Sequence, residues 1–120
     1  MAEVKTYSGG CHCGRVRYEV ALDLSEPAIT CNCSICGRSG TMLRFVPAGS
    51  FKLLSGADVL TDYRFNRKLI NHQFCSVCGI KSFASGVDKD GAETRAINVR
   101  CLDGVDLQQL QTHPYDGKSK

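Results

Sequence analysis

Eight cysteines are the residues of this 120-residue chain whose type and spacing most directly suggest chemistry. Cys101 stands alone, and the others fall into three short groups. These groups are Cys11-His-Cys13, Cys31-Asn-Cys33-Ser-Ile-Cys36 and Cys75-Ser-Val-Cys78. In a chain without a secretory signal, cysteines clustered in this way hold metal ions more often than they form disulfides. We therefore predict that the chain binds zinc through cysteine thiolates.

The sizes of the groups predict how the ligands divide between metal ions. A structural zinc ion takes four thiolates in a tetrahedron. The first and third groups together supply four ligands, whereas any other combination of whole groups leaves ligands over or crowds five onto one ion. We therefore predict two zinc ions per chain. The predicted closed site consists of Cys11, Cys13, Cys75 and Cys78. The predicted open site consists of Cys31, Cys33 and Cys36.

The two sites are expected to do different work. The closed site joins the beginning of the chain to its last third, and a structural zinc can supply on the order of 10 kcal/mol of folding free energy in a small domain. The open site has three ligands and a vacant fourth position, which is typical of catalytic zinc. With three thiolates it is soft and anionic, so it suits a thiol as fourth ligand, and a thiol bound there would be deprotonated. The predicted chemistry is activation of a thiol, not hydrolysis.

A glycine follows the last cysteine of each group, at Gly14, Gly37 and Gly79. A metal-binding turn directs backbone N–H groups at the sulfur atoms and then bends sharply. Glycine adopts the positive φ of such a bend at little cost. The pattern therefore predicts three metal-binding turns, each ending in a left-handed glycine.

Short segments of alternating polarity position these groups and predict a mostly β fold of short antiparallel strands around zinc-binding turns. In residues 15–20, Val16, Tyr18 and Val20 share one face. The other predicted strands are residues 42–46, 51–54, 60–65, 69–74, 80–85 and 95–99. A hairpin turn is predicted at residues 88–91. Single helical turns are predicted at residues 37–43 and 106–111, with Asp106 as a cap.

Composition limits the class of protein. The length predicts one domain over residues 1–120, with a core at about residues 8–105 and a polar tail at 116–120. The net charge of +3 and the lack of a dense basic cluster argue against nucleic acid binding, and the basic stretch at residues 64–68 is interpreted as an exposed strand end or turn. No apolar run approaches the ~18 residues of a membrane span. Residues 1–7 lack the apolar segment of a signal peptide, so we expect a cytoplasmic protein.

Three ordered motifs resemble one known family. They are Gly10-Cys-His-Cys-Gly14 followed by Val16-Arg-Tyr-Glu19, then Cys31-Asn-Cys-Ser-Ile-Cys-Gly-Arg38, then Phe74-Cys-Ser-Val-Cys-Gly79. With Leu102-Asp103, they resemble the glutathione-dependent formaldehyde-activating enzyme family, also called the centromere protein V family. The resemblance implies an Mss4-like β-tent fold and the same division of cysteines between a structural and a catalytic zinc. It also implies a carbon–sulfur lyase that reversibly joins glutathione to formaldehyde, giving S-hydroxymethylglutathione.

Several alternatives stay open at this point. Cys101 could be a fourth ligand of the open site, but we favour a small buried hydrophobe. His12 and His72 are better explained by surface or hydrogen-bonding roles than as ligands. Arg38 and Arg44 follow the open site and could attract an anionic substrate. The alternative to an enzyme is a zinc-ribbon adaptor, which the unmatched group of three cysteines argues against, because an adaptor needs closed four-ligand sites.

Overall fold

Short strands dominate the computed structural model, which describes residues 4–63, 70–88 and 90–116. One short α-helix lies among them in the described part of the chain. The strands are β1 (Lys5–Gly10), β2 (Arg17–Leu22), β3 (Ala28–Cys31), β4 (Leu43–Pro47), β5 (Phe51–Ser55), β6 (Leu60–Tyr63), β7 (Ile70–Cys75), β8 (Phe83–Val87), β9 (Glu93–Asn98) and β10 (Thr112–Tyr115). The helix is α1 (Ser34–Ser39). The mostly β prediction is confirmed.

The strands form two sheets. The smaller has the order β1-β2-β5, and the larger has the order β10-β3-β4-β9-β8-β7-β6. Neighbouring strands pair antiparallel, except that β10 runs parallel to β3. This parallel pair differs from the expected antiparallel arrangement. It places the end of the described chain beside Cys31, where Asn32 Nδ2 donates a 2.9 Å hydrogen bond to Asp116 Oδ1.

The alternation along β2 builds the core. Val16, Tyr18 and Val20 are buried, as the period of two predicts. Tyr18 packs against Phe51 of the small sheet and Phe83 of the large one, with ring centroids 5.1 and 5.8 Å away. Phe51 and Phe83 themselves lie 4.6 Å apart. Aromatic pairs at these separations stabilise packing beyond their buried area, so this cluster helps to hold the two sheets together.

Local chemistry explains where the helical predictions differ from the structure. The predicted turn at residues 37–43 begins earlier, at Ser34, because the Cys33 side chain caps the helix by accepting from the backbone N–H of Cys36. It ends where Gly40 takes a left-handed conformation at φ 70°. The predicted turn at residues 106–111 is a short 3-10 helix, Leu107–Gln109, capped by Asp106 as expected.

Some strands were not predicted, and some predictions cannot be compared with the structure. Strands β1, β3 and β10 were not predicted, because their mixed sequences do not alternate cleanly. The basic stretch at 64–68, residue 89 of the predicted hairpin turn and residues 117–120 of the tail lie outside the described residues. In the described part of the chain, no helix is both long and apolar enough to cross a bilayer.

Candidate metal centres

Two tight turns bring together the four cysteines of the predicted closed site. One follows β1 and carries Cys11 and Cys13, and the other ends β7 and carries Cys75 and Cys78. The four Sγ atoms all lie within 4.8 Å of one another. The Cys11–Cys13 and Cys13–Cys75 sulfur distances are 3.5 and 3.7 Å. Since a Zn–S bond is about 2.3 Å, a tetrahedral site requires sulfur separations of about 3.8 Å, so these distances fit zinc.

Backbone N–H groups point at the sulfur atoms of this group. Val16 N donates to Cys11 Sγ at 3.3 Å, and Val77 N donates to Cys75 Sγ at 3.4 Å. The backbone N–H of Cys13 is the main cause that lowers the pKa of the Cys78 thiol to about 6. Hydrogen bonds of this kind favour the thiolate, which is the form that binds metal. The donor set therefore suits a soft divalent cation such as zinc.

Two of the three predicted left-handed glycines are present. Gly14 and Gly79 have φ values of 86° and 80°, directly after Cys13 and Cys78. Gly37 is different, because it lies inside α1 and its φ is not positive. The prediction for Gly37 is wrong because the middle group ends in a helix instead of a turn, and the left-handed bend comes at Gly40.

The three cysteines of the predicted open site also come together. Cys31 ends β3, Cys33 caps α1 and Cys36 lies within the helix. Their Sγ atoms lie within 4.8 Å of one another, and no fourth His, Cys, Asp or Glu from residues 4–63, 70–88 or 90–116 joins them. The backbone N–H of Cys33 donates to Cys31 Sγ, and that of Cys36 donates to Cys33 Sγ, each at 3.5 Å. The three sulfur atoms can thus occupy three of the four positions around a tetrahedral metal ion.

Burial and hydrogen bonding act against each other at these thiols. Burial disfavours the Cys33 thiolate, but hydrogen bonds from the backbone N–H groups of Cys36 and Ile35 and from the thiols of Cys36 and Cys31 together lower the pKa of Cys33. Cys36 is more buried, and desolvation raises its thiol pKa to about 11. A cation at this position would therefore stabilise the charged form of Cys36 most.

Cys101 lies away from the three-cysteine group. It is half-buried, and its Sγ lies 4.0 Å from the backbone carbonyl of Lys81. Burial raises the pKa of its thiol, and the charges that act on it come from Cys11 and Cys78. It therefore does not complete the open site in this structure.

Lys81 is a candidate site residue that the sequence analysis missed. Its Nζ is buried, with no hydrogen-bond partner among the described residues. Desolvation lowers the pKa of this ammonium, whereas the charges of Cys36, Cys33 and Cys31 raise it. It lines a cavity together with Cys36. A lysine three residues after Cys78, between Ile80 and Ser82, carries no spacing signal that would have revealed it.

Asn98 holds the backbone of Lys81 in place. Its Nδ2 donates to the carbonyl oxygen of Lys81 at 3.0 Å. Its Oδ1 accepts from the backbone N–H groups of Met42 and Arg100, at 3.3 and 3.2 Å. Since Asn98 is itself buried, these bonds fix the segment before β8 against the ends of β4 and β9.

The other polar candidates lie elsewhere. Arg44 donates to Glu26 Oε2 at 3.3 Å and to the Asp23 carbonyl at 3.2 Å, so its guanidinium is already engaged. Arg38 is exposed and donates to the Ser34 carbonyl. His12 is exposed, whereas His72 is buried on β7, where desolvation and the charge of Lys81 lower its pKa to about 4.

Comparison with known proteins gives a match to a family model and a match to a solved structure. The model of a family described as glutathione-dependent formaldehyde-activating enzyme matches residues 6–116. The crystal structure of a Rhodobacter sphaeroides protein superposes with a TM-score of 0.73 at 30% sequence identity. That match covers 88% of this chain and 99% of the other. The chain is therefore similar in sequence and fold to known proteins over most of its length.

Proposed function

Because the chain belongs to the glutathione-dependent formaldehyde-activating enzyme family, we propose that it is a zinc-dependent carbon–sulfur lyase. The proposed reaction reversibly joins a thiol such as glutathione to an aldehyde, giving an adduct of the S-hydroxymethylglutathione type. The observation that carries the proposal is the convergence of three sulfur atoms on one point, without a fourth ligand among the described residues. The proposed catalytic site is Cys31, Cys33 and Cys36.

The two cysteine groups take different roles in this proposal. Cys11, Cys13, Cys75 and Cys78 would hold a structural zinc, because four thiolates fill a tetrahedron and leave no position for substrate. Cys31, Cys33 and Cys36 would hold the catalytic zinc. When bound, that zinc supplies a vacant position at which a substrate thiol loses its proton and becomes a nucleophile.

Lys81 supplies the charge that the reaction needs. Its charge acts on all three thiols of the open site, and its Nζ is a hydrogen-bond donor without a protein acceptor among the described residues. As the carbon–sulfur bond forms, the π electrons of the carbonyl move to its oxygen. The ammonium of Lys81 would hold that oxygen by a charge-assisted hydrogen bond.

Atoms balance without an oxidant or reductant. In the forward direction the thiol sulfur bonds to the carbonyl carbon, the thiol proton passes to solvent, and the new alkoxide takes a proton from solvent. In the reverse direction the adduct hydroxyl loses its proton to solvent, the carbonyl re-forms, the carbon–sulfur bond breaks, and the released thiolate takes a proton from solvent. The same oxygen carries negative charge in adduct formation and in adduct cleavage, so Lys81 would stabilise it in both directions of the reaction.

The surroundings of the open site favour an enzyme over an adaptor. A closed structural site needs no unpaired ammonium beside it, and burying one is costly unless its charge is used. Here Lys81 and Cys36 both line one cavity, and the Lys81 Nζ is buried without a hydrogen-bond partner among the described residues. An adaptor would gain nothing from this arrangement, whereas a lyase needs both a thiol position and an oxygen-binding group.

The test is the exchange of the formaldehyde–glutathione adduct, followed by NMR on reduced, zinc-loaded protein. The proposal predicts exchange well above the uncatalysed rate, in proportion to protein concentration. If zinc-loaded protein gives no acceleration with glutathione, with small thiols or with longer alkyl thiols and aldehydes, the lyase assignment is wrong and the adaptor alternative gains support.

A further inference from the structure

An apolar cavity of about 340 Å³ adjoins the three-cysteine group on the outer face of the large sheet. Cys36 belongs both to its wall and to the proposed catalytic site. Most of the remaining wall is hydrocarbon. The apolar side chains that form it are Leu43, Phe45, Ile70, Ala84, Val87 and Ala96.

The pairing of the strands explains why the sheet is hollow here. Phe45 lies opposite Ala96, Ala96 opposite Ala84, and Ala84 opposite His72, across β4, β9, β8 and β7. Directly paired residues share one face of the sheet, with Cβ atoms about 5 Å apart. In this row two small side chains, Ala96 and Ala84, lie between two large ones, Phe45 and His72. The difference in size leaves a trough over the two alanines.

The next row on the same face continues the trough. Ile70 lies opposite Gly86, and Gly86 lies opposite Thr94. Small residues again occupy the middle, and Ile70 forms the side. Phe45, Ile70 and Val87 are 52, 47 and 48% exposed, so large apolar side chains remain open to solvent around the cavity. Exposed apolar groups that surround a concave site are typical of ligand binding.

The charged side chains among the described residues of the wall do not favour an anionic peptide. Glutathione carries two carboxylates, and recognition of carboxylates usually uses arginine or lysine. Among the described residues that line the cavity, Lys81 is the only lysine or arginine, and Asp88 adds a negative group. His72, the one histidine among them, is neutral near pH 7 because its pKa falls to about 4 through burial and the charge of Lys81. The described part of the wall therefore has one lysine near the thiols and mostly hydrocarbon beyond it.

We infer that the substrate handled at the three-cysteine site carries an apolar group, an alkyl chain of several carbons or an aromatic ring, which lies in this cavity. The inference rests on the proposed lyase function and adds the substrate class to it. The size fits, because an apolar cavity of about 150 Å³ already accepts benzene. The apolar group belongs to the aldehyde or to the thiol, and in both cases the reaction makes one carbon–sulfur bond and reduces or oxidises nothing.

Matched pairs of substrates determine whether the aldehyde or the thiol carries the apolar group. The first arm compares acetaldehyde with hexanal, each with glutathione, and the second compares ethanethiol with hexanethiol, each with formaldehyde. Within a pair the reacting group is the same and four methylenes differ. Since each buried methylene contributes roughly a fourfold preference, partial burial of the chain should raise kcat/KM at least tenfold in one arm. The arm that responds identifies which partner carries the apolar group.

Variants of the trough connect that preference to the cavity. Ala96→Leu fills the floor and should reduce the preference for the longer substrate at least fivefold. Phe45→Ser removes one wall at a half-exposed position, so it should lower the same preference without disturbing the core. Leu54→Ala, on β5 and half-exposed away from the cavity, is the matched control and should leave the preference unchanged.

Two outcomes separate this inference from the proposed function. If exchange with formaldehyde and glutathione is accelerated but neither arm shows a preference for the longer chain, the lyase stands and the apolar inference is overturned. If no pair reacts, calorimetric titration with hexanethiol and ethanethiol decides. Tighter binding of hexanethiol that Ala96→Leu abolishes supports the apolar site without the lyase, and equal binding of the two thiols overturns it.

Discussion

At the scale of single residues, Lys81 is the residue that best distinguishes a catalytic role of this site from metal binding alone. Replacing it by methionine keeps the volume of the stem and removes the ammonium, so we expect kcat for adduct exchange to fall about 100-fold. Zinc content should not change, because Lys81 is not a ligand. Lys52→Met, at an exposed position on β5, is the control. Wild-type kcat in Lys81→Met would contradict the role given to this residue.

His72 gives the chain a predictable dependence on acid. Its pKa in the folded protein is about 4, lowered by burial and by the charge of Lys81. In the unfolded chain the pKa of this histidine is near 6.5, so as the pH falls the imidazole is protonated in the unfolded state before it is protonated in the folded state. The free energy of unfolding therefore decreases between pH 6.5 and 4. The full effect is up to roughly 3 kcal/mol.

Urea unfolding across this pH range tests the assignment. His72→Gln should lose less stability than wild type as the pH falls from 6.5 to 4, while His113→Gln, at an exposed position, should follow wild type. Because all three proteins keep the same cysteines, metal release affects them equally. A constant difference between His72→Gln and wild type over the whole range would show that this histidine does not titrate as described.

Residue-level chemistry was the most predictable part of the molecule. The three cysteine groups divide as four and three in space, as their spacing indicated, because a turn of two to five residues already places its sulfur atoms close together. Lys81 and the alanine pair were not predictable. The alanines face each other through strand register, and Lys81 lies in the irregular segment before β8, so neither residue type carries a local mark of what lies beside it.

At the scale of elements, the turn between β1 and β2 carries two ligands of the closed site and depends on two glycines in different ways. A Cβ at Gly10 would lie 2.0 Å from the carbonyl oxygen of Val16, so Gly10→Ala forces the hairpin backbone apart. Gly14 has open space around it but a φ of 86°, so Gly14→Ala costs only the left-handed strain.

Unfolding measurements on these two variants test that distinction. We expect Gly14→Ala to lose about 1 kcal/mol of stability. Gly10→Ala should lose more than about 3 kcal/mol and bind zinc more weakly at the four-cysteine group. Equal losses in both variants would contradict this distinction. They would mean that the hairpin backbone accommodates a Cβ at Gly10 despite its close contact with the carbonyl oxygen of Val16.

The elements themselves were predictable where a single pattern acts. Strand β2 follows its alternation, and the 3-10 helix at Leu107–Gln109 follows its Asp106 cap. The α1 boundary was misplaced because Cys33 acts both as a cap and as a member of the metal group. The parallel β3–β10 pair joins segments about eighty residues apart, and local sequence does not specify such a contact.

At the scale of the whole molecule, the four-cysteine group closes the chain on itself. Cys13 and Cys75 are 62 positions apart, yet their sulfur atoms lie 3.7 Å from each other. A structural zinc here would contribute free energy comparable to the 5–15 kcal/mol total stability usual for a domain, so its removal should unfold the protein. The three-cysteine group spans only one strand end and one helix, so its metal should matter much less to stability.

Thermal unfolding of single-cysteine variants compares the two groups. Cys75→Ser should abolish the cooperative transition or lower Tm by tens of degrees, because it leaves a buried site incomplete. Cys36→Ser should retain a cooperative transition close to that of wild type. The reverse order of Tm values would exchange the structural and catalytic roles proposed for the two groups.

The measurement that tests the central claim most directly is zinc content and adduct exchange in the same sample of Cys33→Ser, with Cys101→Ser as the control. The account predicts that Cys33→Ser remains folded, retains one zinc of two and loses the acceleration of glutathione–formaldehyde exchange, while Cys101→Ser retains both zinc ions and full activity. A Cys33→Ser protein that loses this zinc but exchanges the adduct at the wild-type rate would contradict the claim that the three-cysteine group is the site of catalysis.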